Sequence, residues 1–363
     1  MRSEGFLRAL GSWSEREDLP DAFVRLLEAA PEGGAEIAEC LSAAQRIDTE
    51  DEGSWHREWM QCAEVMSAGA HLAMSSGCLE AAWRKWSRAV DCYEAAACPL
   101  NTSLAQQQVV RARMRDRARD FLRCCDPQGE VVTIPWRPDY LLEAYFIPAR
   151  SDAEPAPTVL CIGEPGRRKE TSLFKLAAHA SQRGLSLLVV DLLGAEADCR
   201  FEEIVGRRDL ESAVASVTDY VTLRDDVDEE RIAILADDWR SSFVARGIAF
   251  DPRYAAAVCD AGLWDIHERV FLSRRLASSE RCNLSIASDG LAARHIMCPL
   301  LVTVPERGWL RADLATRLIA QIKRDRPDIT LKIFPDGGCS PDSDTFIFDW
   351  IAARLAGAQR RQS

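Results

Sequence analysis

Apolar residues recur with one period in the first third of the chain and with another in the rest. From residue 1 to about 127 they return every three to four positions, through Asp21 to Ala30, Gly34 to Gln45, Ser54 to Ser75, Cys78 to Ala97 and Ser103 to Arg123. Pro20, Pro31, Gly33, Gly77 and Pro99 punctuate these runs, which predicts an all-helical domain. The Gly77 break between two long alanine-rich segments predicts an antiparallel helical hairpin, with Trp83 and Trp86 in its core. After Asp126-Pro127-Gln128-Gly129 the period changes. Glu130 to Pro135 and Leu141 to Ile147 predict a β-hairpin, and Arg150 to Pro157 a turn-rich lead-in. Short apolar strands then alternate with helical segments. The strands are Thr158 to Ile162, Leu185 to Asp191, Ile232 to Ala236, Ala255 to Asp260, Leu300 to Val304 and Ile329 to Phe334. Between and after them come helices at Lys169 to Arg183, Leu210 to Thr222, Arg240 to Ala249, Arg311 to Asp325 and Asp344 to Leu355. That alternation predicts a mostly parallel sheet with helices on both faces, and ligand chemistry at the carboxyl ends of its strands.

Composition narrows the class. A chain of 363 residues with 47% hydrophobic content can bury two cores. The net charge of -12 has no basic block, so no nucleic-acid partner is expected. The sequence offers neither an apolar run of about 18 residues nor the order of a signal peptide, so no membrane association and a cytoplasmic location are expected. The cysteine count, 13, is odd, and Cys40, Cys62, Cys78, Cys92, Cys161 and Cys259 sit within predicted helices and strands as small buried groups. No Cys-x-x-Cys occurs and Cys124-Cys125 has no histidine near it, so neither metal nor cofactor is expected.

The segment Arg231 to Phe243 runs from a buried strand through a turn into a helix, and the turn reads Ala236-Asp237-Asp238-Trp239-Arg240. Other ordered features are Trp83 to Ala97, Ala144 to Pro148, Pro157 to Gly163 followed by Lys169-Glu170, Val189 to Gly194, Asp251-Pro252-Arg253 and Asp349 to Ala352. In this order they resemble an α/β-hydrolase with an N-terminal helical cap, the family of the FrsA-like esterases and the 2,6-dihydropseudooxynicotine hydrolases. The resemblance implies the α/β-hydrolase fold, with a helical cap domain at 1–127 and a core domain at 128–363. It also implies a serine at the Gly-x-Ser-x-Gly turn, an acid after a late strand and a histidine before the last helix. This sequence departs at each. Asp238 stands at the serine position. After Leu300 to Val304 the loop reads Pro305-Glu306-Arg307-Gly308-Trp309, which puts Gly308 at the acid position by ungapped count, with Glu306 in reach of a shifted loop. After Phe334 to Gly338 the residue at the histidine position is Cys339.

Without that histidine, an ester on Asp238 would lack its water activator. His56, His71, His179 and His295 fall on the predicted cap, a core helix or a strand lead-in, and His267, which follows Asp260 to Asp265, is the one expected to approach the cleft rim. General-base chemistry needs only a placed carboxylate, and burial raises its basicity. The other reading of Asp238 is a helix N-cap. Pro165 in Gly163-Glu164-Pro165-Gly166 removes an N–H from the loop where this fold takes an oxyanion donor. Glu164 supplies a second carboxyl group, either as an acid partner of Asp238 or paired with Arg167 or Arg168. Arg167, Arg168 and Arg240 are candidate anchors for an anion, or solvated surface groups. Trp239, Trp264 and Trp309 fall on loops at the same edge and, with Cys339, are candidate substrate contacts.

This site logic resembles the acetate-eliminating enzymes of tetronate biosynthesis. What that implies is a lyase with a small-molecule substrate, an O-acetylated tetronate, that uses Asp238 and Glu164 and contacts the substrate through Trp239, Arg240, Trp264, Arg167 and Cys339. A hydrolase with Asp238 as nucleophile and a hydrolase-derived binding protein are the other two readings. The resemblance to the cap-bearing hydrolases also implies a homodimer.

Overall fold

The computed structural model describes residues 37–48, 51, 53–97, 102–137, 140–150, 155–163, 168–191, 207–236, 243–259, 295–306, 312–324, 328–335 and 341–358. The chain divides into two compact units, Met1–Cys125 with Leu173–Lys175, and Asp126–Ser172 with Leu176–Ser363.

In the first unit the described helices are α1 (Ile37–Ala44), α2 (Ser54–Ser75), α3 (Leu79–Ala96) and α4 (Leu104–Cys124). The expected helix at Asp21 to Ala30 lies outside the described residues. Gly77 ends α2 with φ +74°. The Cys78 N–H donates to Ala73 O (2.9 Å) and the Gly77 N–H to Met74 O (2.9 Å). This is a Schellman closure, in which a residue without Cβ takes the left-handed position that reverses the chain. Ser103 and Gln106 form a reciprocal capping box at the start of α4. Trp55, Trp59 and Trp86 are almost wholly buried with Cys40, Cys62, Cys92 and Tyr93, and Trp83 sets its ring edge-on to Phe121. Cys78 corrects the expectation of buried cysteines: it is exposed just outside α3.

The second unit carries an eight-stranded sheet of order β1-β2-β4-β3-β5-β6-β7-β8. Its strands are β1 (Glu130–Arg137), β2 (Tyr140–Ile147), β3 (Ala156–Ile162), β4 (Ser186–Val190), β5 (Val227–Ala236), β6 (Ala256–Cys259), β7 (Leu300–Pro305) and β8 (Ile329–Phe334). β1 and β2 form the expected hairpin, β2 pairs antiparallel with β4, and all later pairings are parallel. The helices are α5 (Lys169–Ser181), α6 (Arg207–Thr222), α7 (Phe243–Gly247), α8 (Ala312–Ile322) and α9 (Pro341–Ala358). Along β3 and β5 both alternating sets of side chains are buried: Leu160, Ile162, Ile232 and Ile234 on one face, and Val159, Cys161, Ala233 and Leu235 on the other. A strand buried on both faces needs cover on both, which explains the unbroken apolar runs in the sequence. α7 is shorter than the helix expected over Arg240 to Ala249, of which residues 240–242 lie outside the described residues. β5 begins five residues before the expected Ile232; its extension is paired to Ala156 through Val227 and leaves Glu229 and Glu230 exposed. Among the described residues no helix is long and apolar enough to cross a membrane.

Candidate active site

Registers between neighbouring strands bring their carboxyl ends level. Ile162 of β3 pairs with Val190 of β4 and with Ala236 of β5, and Ala236 pairs with Cys259 of β6. The chain therefore leaves β3, β4, β5 and β6 along one edge of the sheet, where parallel α/β sheets place their ligands. Asp238 follows Ala236 by two residues and Glu164 follows Ile162 by two. Asp238, Glu164, Trp239, Arg240, Trp264, Arg167 and Cys339 lie outside the described residues, as do His267, Pro165, Gly308 and Trp309. Glu306 is described: it is exposed directly after β7, with its backbone N–H donating to Phe334 O at 2.7 Å.

The four described histidines have structural settings. His56 Nδ1 lies 2.9 Å from Ala96 O, and His71 Nε2 meets Asp120 (3.3 Å) and Arg117 (2.9 Å). His179 stacks on Phe348, and His295 stacks on Phe250.

Against the expectation of an anion anchor or a solvated group, Arg168 is 6% exposed and bound to acids of its own chain. Its Nε lies 3.3 Å from Glu170 Oε2 and 3.7 Å from Asp191 Oδ2. Next to it Lys169 is fully buried, its Nζ 3.3 Å from Glu143 Oε1, 3.6 Å from Asp191 Oδ2 and 3.8 Å from Glu170 Oε1. Lys169 Nζ also faces the Tyr145 ring, 5.2 Å from its centroid. The Tyr145 hydroxyl donates to Glu170 Oε1 at 2.7 Å, and the Lys169 backbone N–H donates to Asp191 Oδ2 at 3.0 Å. Two cations and three carboxylates thus share one buried volume beside the carboxyl ends of β3 and β4. Burial pushes the Tyr145 hydroxyl above its ordinary range, and the Glu170 charge raises it further, so it remains a donor. Burial works against the charge on Arg168, but Asp191 and Glu170 outweigh it and keep the guanidinium protonated.

Reasoning from the sequence misses this cluster, although it has a signal there. Glu143 interrupts Leu141-Leu142-Glu143-Ala144-Tyr145-Phe146, a run otherwise buried or half-buried apart from Leu141, and Asp191 ends the fully buried Leu187-Leu188-Val189-Val190. A charge inside such a run requires a partner. Among the described residues no group of three histidine, cysteine, aspartate or glutamate side chains is placed to hold a metal ion.

Known proteins place this geometry in a wider group. The hydrolyase poxO of Penicillium oxalicum is 29% identical over 259 residues, 68% of this chain and 61% of its own. The 20-hydroxy-prefusarin hydrolase FUS2 of Gibberella moniliformis is 30% identical over 258 residues, with the same 68% and 61%. The chain thus spans about three fifths of the length of these curated relatives. The crystal structure of the 2,6-dihydroxy-pseudo-oxynicotine hydrolase superposes with a TM-score of 0.68 over 91% of this chain and 96% of its own, at 18% identity. AbyA5 superposes with a TM-score of 0.59 over 90% and 94%, at 16% identity. No family model matches the chain.

Proposed function

The chain belongs to the α/β-hydrolase superfamily, and on that premise we propose that it is an enzyme of small-molecule biosynthesis that has exchanged acyl transfer for elimination. The substrate in this reading is an O-acetylated hydroxymethyl tetronate. Asp238 takes the ring proton, the released electron pair forms an exocyclic carbon–carbon double bond, and the carbon–oxygen bond to acetate breaks. Glu164 or a bound water returns a proton to the departing acetate. Arg167 or Arg240 holds the tetronate anion, and Trp239, Trp264 and Cys339 line the substrate. Residues 1–127 are the cap domain and residues 128–363 the catalytic domain in this reading, which extends to a homodimer.

The observation that carries it is the sequence position of Asp238. It comes two residues after the end of β5, a strand with neighbours on both sides in the sheet, where this fold carries its nucleophile. A carboxylate there, with Cys339 in place of the histidine, suits proton abstraction better than an ester that needs clearing. A second reading, hydrolysis through an Asp238 ester with His267 as the base, draws on the relatives' names, which include a prefusarin hydrolase.

Mass spectrometry of products from O-acetyl tetronates and simple esters in oxygen-18 water separates the two. Elimination gives loss of acetic acid with no label in the protein, and Asp238→Asn lowers the rate by about 100-fold or more. Simple ester hydrolysis with oxygen-18 entering the Asp238 carboxylate would replace the lyase by the hydrolase. Turnover unchanged in Asp238→Asn would remove Asp238 from either mechanism.

A further inference from the structure

We propose that Asp191, Lys169 and Arg168 are positioning residues, a buried ionic clamp that fixes the points where the chain leaves β3 and β4 at the ligand edge of the sheet. This rests on the reading of that edge as the active site.

Three contacts define the clamp. The Gly163 N–H donates to Val190 O at 3.1 Å and carries the β3–β4 pairing one residue past the end of β3. Arg168, at the N-cap of α5, makes no side-chain capping bond. Instead Asp191 supplies the cap from the end of the neighbouring strand by accepting the Lys169 backbone N–H at 3.0 Å. A carboxylate at that helix end also meets the positive end of the helix dipole. Finally, the Arg168 and Lys169 side chains both approach Asp191 Oδ2, at 3.7 and 3.6 Å. Gly163 and Arg168 are thus each tied to the end of β4, and residues 164–167 lie between them in sequence. Glu164, the proposed acid, is one of the four.

Stability is a poor reason to keep such a cluster. Apolar groups of similar size in place of a buried ion group are often neutral or stabilising, whereas removing one partner leaves a charge stranded. Among the described residues the arrangement is also incompletely satisfied: Arg168 Nη1 and Lys169 Nζ have no well-aligned hydrogen-bond partner there. What the ions contribute is geometry, because the charges fit together in one arrangement of β2, β4 and the start of α5. Catalysis is sensitive to that geometry, since a displacement of about 1 Å in a reacting group can cost on the order of 100-fold in rate.

The test combines hydrogen exchange on the full chain with kinetics. In Asp191→Asn, amide exchange should rise by about tenfold in peptides covering 163–172 and 187–191 and stay unchanged in β6, β7 and β8. Against any substrate the wild type turns over, kcat should fall on the order of 100-fold while KM stays within about threefold. Lys169→Arg should retain a substantial part of the kcat that Lys169→Met loses. Tyr145→Phe, which removes only one hydroxyl, serves as the milder variant if Asp191→Asn does not fold, and its exchange should rise in the same peptides. Exchange raised evenly over both units, or kcat unchanged in folded Asp191→Asn, would overturn the clamp. A wild type inert to every tetronate and ester would defeat the proposed function, and the exchange pattern would still decide the clamp.

Discussion

Arg224 shows how much one side chain can organise. Its guanidinium donates to both carboxylate oxygens of Asp226 (2.8 and 2.7 Å), to Glu130 of β1 (2.6 Å) and to the Tyr220 hydroxyl of α6 (3.0 Å). It also lies 3.9 Å from the centroid of the Phe146 ring in β2. The Arg224 hydrogen bond holds the Asp226 carboxyl below its ordinary range, and this outweighs the opposing effect of partial burial. A carboxylate whose folded pKa is depressed stabilises the fold above its unfolded value, about 3.9, and that contribution is lost as pH falls through the folded value. Asp226→Asn should therefore have a lower urea midpoint than the wild type at pH 6, and the gap should close between pH of about 4 and the depressed folded value. A gap of constant size down to the lowest pH would show that the ion pair is not its cause. Pairings of this kind are only partly legible in the sequence. Arg224 and Asp226 are close neighbours in the chain, but Asp191 is 22 residues from Lys169 and Tyr145 is 25 from Glu170. Those partners meet because β2 and β3 both flank β4, an order that no local pattern encodes. Arg168 misleads in part for the same reason: Glu170 is two residues away, but Asp191, its second acid, comes from the end of β4.

Elements are most legible where one period runs for a full length. Ser54–Ser75 and Ile329–Phe334 match the pattern at both ends, since the amphipathic stripe of the helix and the half-buried Ile-Thr-Leu-Lys-Ile-Phe run of the strand each stop where the element stops. β5 outruns its apolar pattern because Asp228-Glu229-Glu230 looks like a loop, yet Val227 already pairs with Ala156, and these solvent-tolerant residues fall in a register irregularity before the regular pairing that starts at Ile232. At the end of α7, crowding and helix propensity oppose each other. An exposed helical glycine gains about 0.5–1 kcal/mol on change to alanine. A Cβ on Gly247, however, would lie 2.8 Å from both Cβ and Cγ2 of Val214 in α6, and such overpacking costs about 1–3 kcal/mol. Crowding outweighs propensity, so Gly247→Ala should destabilise the protein by about 1–2 kcal/mol in urea unfolding. Adding Val214→Ala to it should cost less than Val214→Ala costs the wild type, because the two changes share one contact. A Gly247→Ala variant as stable as the wild type would disprove the close approach. The contact bears on function through position, since α7 begins five residues after Asp238.

At the scale of the molecule the described residues of the two units build cores of different kinds. One is built from helices around Trp55, Trp59, Val90, Tyr93 and Met114, and the other from a sheet and its helices around Leu160, Ile162, Ile234, Val302 and Ile319. The change of hydrophobic period announces two architectures, because a stripe of 3.6 residues and a doubly buried strand impose different patterns. Nothing in the α5 pattern signals that Leu173–Lys175 group with the helical unit. Separate cores make a damaged side chain a local injury. Trp59 is fully buried and packs against Trp55 with ring centroids 5.7 Å apart, and its truncation to alanine should cost about 3–5 kcal/mol. Ile234 is fully buried in the middle of the sheet, where its truncation should cost about 2–5 kcal/mol. Hydrogen exchange read by peptide should show protection lost from α2 and α3 in Trp59→Ala while β3 and β5 keep theirs, with the reverse in Ile234→Ala. Equal loss across all of these elements in both variants would mean that the two cores unfold as one cooperative unit, and the separation seen in the packing would then have no energetic counterpart.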